Sequence, residues 1–175
     1  MPGIEYYPIR EFEGLSLAIM PRPRAGDWLE DEIGQWQREG LDTVVSLLEP
    51  SEVAELELGA EPRICASRGI EFLSFPIPDR GVPRTIATFD TFLAPLVTRL
   101  RSGVSVGVHC RAGIGRSGLT AACILIRAGI PYPLAFPESR GRGESRFPTR
   151  SSRSHGFKCS QLLASNKSLE RTREG

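Results

Sequence analysis

Residues 104–126 read VSVGVHCRAGIGRSGLTAACILI. The stretch opens with VSVGVH, a short β-branched run that predicts a strand, and closes with LTAACILIRAG, an apolar segment that predicts a helix ending at Gly129. Between them lies a glycine-rich turn that starts at Cys110, with Arg116 six residues further on. Gly113 and Gly115 let the backbone curl tightly, including through positive φ, so that several N–H groups converge on one centre. A helix beginning near Arg116 adds its unpaired N–H groups and the positive end of its dipole. A phosphate dianion suits that arrangement, and Arg116 can bind two of its oxygens through a planar fork that lysine lacks. The same field favours the thiolate of Cys110, since helix N-termini and nearby cations pull a thiol below its usual pKa of about 8.5.

Outward from this loop the chain alternates strand and helix. LSLAIM (15–20) reads as a strand, closed by PRPRAG. Asp27 and Glu30 form a D-x-x-E capping box, and Leu29, Ile33 and Trp36 make the apolar stripe of a helix that Gly40 ends. DTVVSLLE (42–49) is a strand, PSEVAELEL a helix with Pro50 and Ser51 at its start, and EFLSFPI (71–77) a third strand. From Thr85 to Arg101, Ile86, Phe89, Leu93, Leu96, Val97 and Leu100 share a helical face, with a kink or break expected at Pro95. The fold class is therefore α/β, a central and mostly parallel sheet covered by helices on both faces. Ligands of such sheets bind beyond the carboxyl ends of the strands, where Cys110 lies.

Composition narrows the partners. A net charge of +1 over 175 residues argues against nucleic acid and anionic membrane as general targets. No apolar run approaches the roughly 20 residues that cross a bilayer. The cysteines at 65, 110, 123 and 159 form no C-x-x-C pair, so no structural metal site is expected, and reduced thiols in the cytoplasm are the simplest reading. Residues 137–175 carry nine Lys+Arg against four Asp+Glu, hold both lysines and the only asparagine, and are rich in Ser, Arg and Gly. That composition predicts a basic, largely disordered tail behind a domain spanning 1–136.

HCRAGIGRSG resembles the H-C-x5-R-[ST] signature of the cysteine-dependent protein tyrosine and dual-specificity phosphatases. FPIPDRGVP resembles that family's general-acid loop, with Asp79 lying 31 residues before Cys110. The likeness covers about residues 12–136 and is nearest to small bacterial and kinase-associated-phosphatase-like members. It implies a phosphotyrosine-phosphatase-like three-layer fold and hydrolysis of phosphotyrosine, with phosphoserine and phosphothreonine as further substrates. By the same resemblance Cys110 attacks phosphorus and forms a cysteinyl-phosphate. Arg116 and the N–H groups of Arg111, Ala112, Gly113, Ile114 and Gly115 hold the phosphoryl oxygens. Asp79 protonates the leaving group and later deprotonates water. Ser117 supports the departing thiolate, and His109 orders the loop without touching substrate. The resemblance requires no cofactor and no metal, and a phosphorylated protein is the implied partner.

Plainer readings stay open at several positions. Asp79 can be a turn residue, Ser117 a helix N-cap, and His109 a core histidine. Cys123 reads as core, and Cys65 as a conceivable redox partner of Cys110. A phosphate-binding module without turnover, a phosphatase of a non-protein phosphomonoester and an arsenate reductase are the competing functions. Relatives continue past this point into a P-x-T-x-x-Q-like segment and a final helix, which the text after AGIPYPLAF lacks. Its composition suggests an altered reading frame, and the expected consequence is an uncovered apolar surface on the Leu119–Ile126 helix, with slow hydrolysis of the phosphoenzyme.

Overall fold

A computed structural model describes residues 7–12 and 15–130. Five strands form one sheet in the order β1-β2-β5-β3-β4. They are β1 (Tyr7–Phe12), β2 (Leu15–Pro21), β3 (Thr43–Ser46), β4 (Glu71–Ser74) and β5 (Val106–Cys110). β2, β5, β3 and β4 run parallel, while β1 pairs antiparallel with β2 at the edge. The helices are α1 (Asp27–Arg38), α2 (Pro50–Glu55), α3 (Glu61–Ser67), α4 (Ile86–Arg101) and α5 (Gly115–Arg127). The three-layer α/β arrangement expected from the alternating pattern is present.

The sheet has a core on each face because its strands alternate. Leu17, Ile19, Val45, Val106, Val108 and Cys110 point toward α4 and α5. Ala18, Met20 and Val44 point the other way, into a second core with Leu29, Ile33 and Trp36 of α1 and Ile64 and Cys65 of α3. β3 is buried along its whole length, as befits a central parallel strand. Gly107 in β5 leaves room for this second core, since a Cβ there would come within 2.7 Å of Met20 Cε.

Several local expectations need correction. Asp27 is not an N-cap. Gly26 takes that place at φ +65°, and Asp27 and Glu30 sit in the first turn, where their charge faces the positive helix end without capping it. Pro95 neither breaks nor ends α4, which runs through it for 16 residues. The proline and Thr91 are both exposed, so water can satisfy the carbonyl that the proline frees, while the buried Phe89, Leu93, Leu96, Val97 and Leu100 hold the helix to the sheet. β1 and α3 were not anticipated. The face of α5 is not laid bare either: Leu119, Cys123, Ile124 and Leu125 are all buried. Cys65 and Cys110 are free thiols. The basic segment 137–175 lies outside the described residues, and so does the 131–136 end of the expected domain.

Candidate active site

Cys110 is the last residue of β5, and α5 begins five residues later at Gly115. The intervening turn is tight because Gly113 is at φ +70°, where a Cβ would lie 2.6 Å from the carbonyl oxygen of Met20. Glycine is required there on two independent grounds, conformation and space. Ile114 caps α5 through its backbone, which places Gly115, Arg116 and Ser117 in the first turn, where N–H groups have no intrahelical acceptor. Ser117 is therefore not the N-cap of this helix.

The sulfur of Cys110 is buried, and burial is the largest single influence on it, acting to raise its pKa. The Ser117 hydroxyl and then the N–H groups of Ser117, Gly113 and Ala112 act in the opposite direction as donors to sulfur. Together they outweigh burial, so the thiol lies below its ordinary value. Ser117 Oγ is buried and has no other hydrogen-bond partner, so the sulfur is the group its hydroxyl acts on.

Arg116 is nearly enclosed, at 4% exposure. Its Nη1 donates to Glu52 Oε2 at 2.6 Å and to the carbonyls of Ile77 at 3.0 Å and Leu47 at 3.4 Å, while Nη2 donates to Glu52 Oε1 at 2.8 Å. The Nη1–Nη2 end of the fork thus belongs to Glu52. Nε and the second Nη2 proton lie outside that pair, with Nη2 also 3.4 Å from Asp79 Oδ1. Glu52 in turn accepts the Glu49 N–H at 3.0 Å, in the capping box that starts α2. The Arg116 hydrogen bonds, set against burial, hold its carboxyl below the usual carboxylate range.

Asp79 follows a loop anchored by buried Ile77 and by Phe75, which packs on Phe89 and Phe92. Its carboxylate is exposed, with Oδ1 3.4 Å from Arg116 Nη2. The N–H of Gly81 donates to the Pro78 carbonyl at 2.8 Å, closing a turn in which Arg80 takes φ +54°. The structure therefore brings Cys110, Arg116, Ser117 and Asp79 together at the carboxyl end of β5. His109 faces the opposite side of the sheet and lies 2.9 Å from Glu61. Arg111 and Ala112 are exposed, as is Ile114, and the Arg111 side chain is paired with Glu55 at 2.5 and 3.0 Å outside the loop. Cys65 belongs to the other core, and burial followed by the charge of Glu61 pushes its thiol up to about 12, which makes it a poor redox partner. Among the described residues, no group of three or more His, Cys, Asp or Glu is placed to hold a metal ion.

Glu52 and Glu61 are the site residues that sequence reasoning missed. Each sits in the first turn of a short helix, where an acidic residue ordinarily faces water and the helix dipole. The available signal was the arginine of a strand-end loop, whose charge has to be matched if it is buried.

Comparison with known proteins agrees with the geometry. The mouse protein tyrosine phosphatase domain-containing protein 1 is 33% identical over 104 residues, which is 55% of this chain but only 14% of that protein. The structure of a kinase-associated phosphatase with serine at its catalytic cysteine superposes with a TM-score of 0.73 at 20% identity, covering 93% of this chain and 96% of the other. Tk-PTP in its active form superposes with a TM-score of 0.63 at 26% identity, covering 83% and 92%. Residues 18–130 match the family model for the DSP-PTPase phosphatase of polymorphic toxin systems, Tc-R-P, and it is to this branch of the tyrosine and dual-specificity phosphatases that the chain belongs.

Proposed function

We propose that this chain hydrolyses phosphomonoesters on proteins, phosphotyrosine first and phosphoserine and phosphothreonine as well, through a cysteinyl-phosphate. The observation that carries the reading is the buried Cys110 sulfur, with a depressed pKa, ringed by the Ser117 hydroxyl and three backbone N–H groups. In-line attack by that thiolate transfers the phosphoryl group to sulfur and expels the alcohol or phenol oxygen, which takes its proton from Asp79. Charge on the three equatorial oxygens meets the N–H groups of the turn and the Nε–Nη2 edge of Arg116. In the second step Asp79 accepts a proton from water as that water attacks phosphorus, and thiolate leaves toward Ser117. The catalytic unit is assigned to residues 1–136. Cys110 has to be reduced to act, which suits a reducing compartment such as the cytoplasm.

The test is hydrolysis of an aryl phosphate by the full chain, with burst and steady state resolved, beside Cys110→Ser. Steady turnover that the substitution abolishes supports the reading. A stoichiometric burst that stalls supports attack by Cys110 and removes the second step. Neither burst nor turnover from folded protein sinks it in favour of a phosphate-binding module.

The pH dependence separates the roles further. The depressed Cys110 value places the acid limb of kcat/KM below an ordinary thiol's titration, with activity rising as thiolate forms. In Asp79→Asn kcat on a poor leaving group such as an alkyl phosphate falls by about 10²–10⁴. An activated aryl phosphate is much less affected. Equal losses on both substrates would remove Asp79 from the role of acid.

A further inference from the structure

Behind the nucleophile, on the other face of the sheet, lies a buried histidine–glutamate contact that the reaction above does not use. The His109 and Glu61 side chains are 0% and 1% exposed, with Nε2 2.9 Å from Oε1. His109 lies in β5 and Glu61 in the first turn of α3, so the pair is made by the fold and not by local sequence. In register with His109 are Met20 on β2 and Ser46 on β3, and the Trp36 ring of α1 lies 6.4 Å from the imidazole. Trp36 Nε1, Ser46 Oγ and His109 Nδ1 have no hydrogen-bond partner in the structure, and His109 Nε2 and Glu61 Oε1 meet only each other, in a close contact that is not aligned as a hydrogen bond. The titratable groups of the surrounding elements are otherwise engaged: Cys65 of α3 is a protonated thiol, and Glu32 of α1 pairs with Arg24. Among the described residues, Glu61 is therefore the charged side chain in contact with the imidazole.

Burying a carboxylate is unfavourable unless it is matched, and an apolar side chain would fill this position without that penalty. What the pair touches explains its presence. His109 is bonded covalently to Cys110, and its carbonyl accepts the Leu47 N–H at 3.0 Å. The Leu47 carbonyl in turn accepts the Ile77 N–H at 3.1 Å and Arg116 Nη1 at 3.4 Å. A shift at the imidazole thus reaches the nucleophile, the arginine and the acid loop by main-chain links.

We propose that Glu61 is a positioning residue for Cys110: it holds the His109 imidazole behind the loop with a proton on Nε2, and so sets the strand end from which the thiolate forms. The proposal rests on Cys110 as the nucleophile. It is tested on the full chain by the rate of Cys110 carboxymethylation with iodoacetate against pH, read at the Cys110 peptide by mass spectrometry, which requires no turnover. In Glu61→Gln, which keeps shape and removes charge, the midpoint is expected to rise by about half a unit, roughly threefold less thiolate on the acid side. The same substitution is expected to have no further effect in a His109→Asn background. A midpoint unmoved in folded Glu61→Gln, or the same shift persisting without His109, overturns the proposal. If Glu61→Gln does not fold, the imidazole ¹⁵N signals of the unaltered protein decide: a proton on Nε2 is required, and a bare Nε2 overturns the assignment. A chain whose Cys110 shows the Glu61-dependent midpoint yet hydrolyses no phosphate would sink the proposed function alone.

Discussion

Arg116→Ala lowers kcat/KM for an aryl phosphate by about 10³–10⁵ and destabilises the fold by about 3–5 kcal/mol. The two effects have separate origins in one side chain. In the proposed mechanism the Nε–Nη2 edge stabilises charge that appears only in the transition state, so its loss is expected to fall on the chemical step. The opposite end of the fork neutralises Glu52, which is 6% exposed, and its removal leaves a buried carboxylate unmatched. Arg116→Lys divides the terms, because it keeps the charge beside Glu52 but cannot present two parallel donors. Stability is expected to recover in part while activity stays low. A lysine variant of near-normal activity would refute the bidentate role.

The pH dependence of stability carries the same signature. Glu52 has a depressed folded pKa, so its contribution is complete above the unfolded value of about 4.3 and drains away as pH falls through the folded value. Acid unfolding of Arg116→Ala is accordingly flatter over that window than that of the unaltered chain. Urea titrations at pH 3, 5 and 7 measure both quantities.

Gly113→Ala destabilises the chain by about 2–5 kcal/mol and abolishes measurable turnover. The left-handed conformation at φ +70° penalises any Cβ, and the new methyl would meet the Met20 carbonyl and the Pro21 nitrogen at 2.6–2.7 Å. Those atoms are backbone at the end of β2 and cannot swing aside. The turn must open, which carries the Ala112 and Gly113 N–H groups away from the sulfur. Gly118→Ala is the control. Nothing lies within 4 Å of its added Cβ, it sits inside α5 with no positive φ, and it is expected to stabilise by about 0.5–1 kcal/mol. Equal losses at the two positions would refute the steric account.

The site was legible where it is contiguous. Cys110, the glycine turn, Arg116 and Ser117 follow one another in the chain, and their chemistry demands a strand before them and a helix after. Asp79 was legible because it sits in a proline-bounded loop of recognisable form. Glu52 and Glu61 were not, because an acidic residue early in a helix looks the same in sequence whether it meets water or a buried arginine or histidine far along the chain. The capping box at Asp27 failed for a related reason: Gly26 supplies the turn into α1 by its own backbone freedom, so the acid moves one place into the helix. Pro95 was overread because its local penalty was weighed without the five buried side chains on the opposite side of α4. β1 is a strand by virtue of pairing with β2, and its polar text YPIREF carries no periodic signal.

The peptide units of Leu47 join three parts of the site, through the N–H to His109 and through the carbonyl to Ile77 and Arg116. None of these links uses the leucine side chain, which only fills the core. Side-chain scanning is consequently blind to this junction: Leu47→Val or Leu47→Met alters packing and leaves the coupling intact. Replacing the amide with an ester, which deletes a donor or weakens an acceptor at a single bond, is the perturbation that can address it. Among the natural residues only proline, which has no N–H, would cut the link to His109.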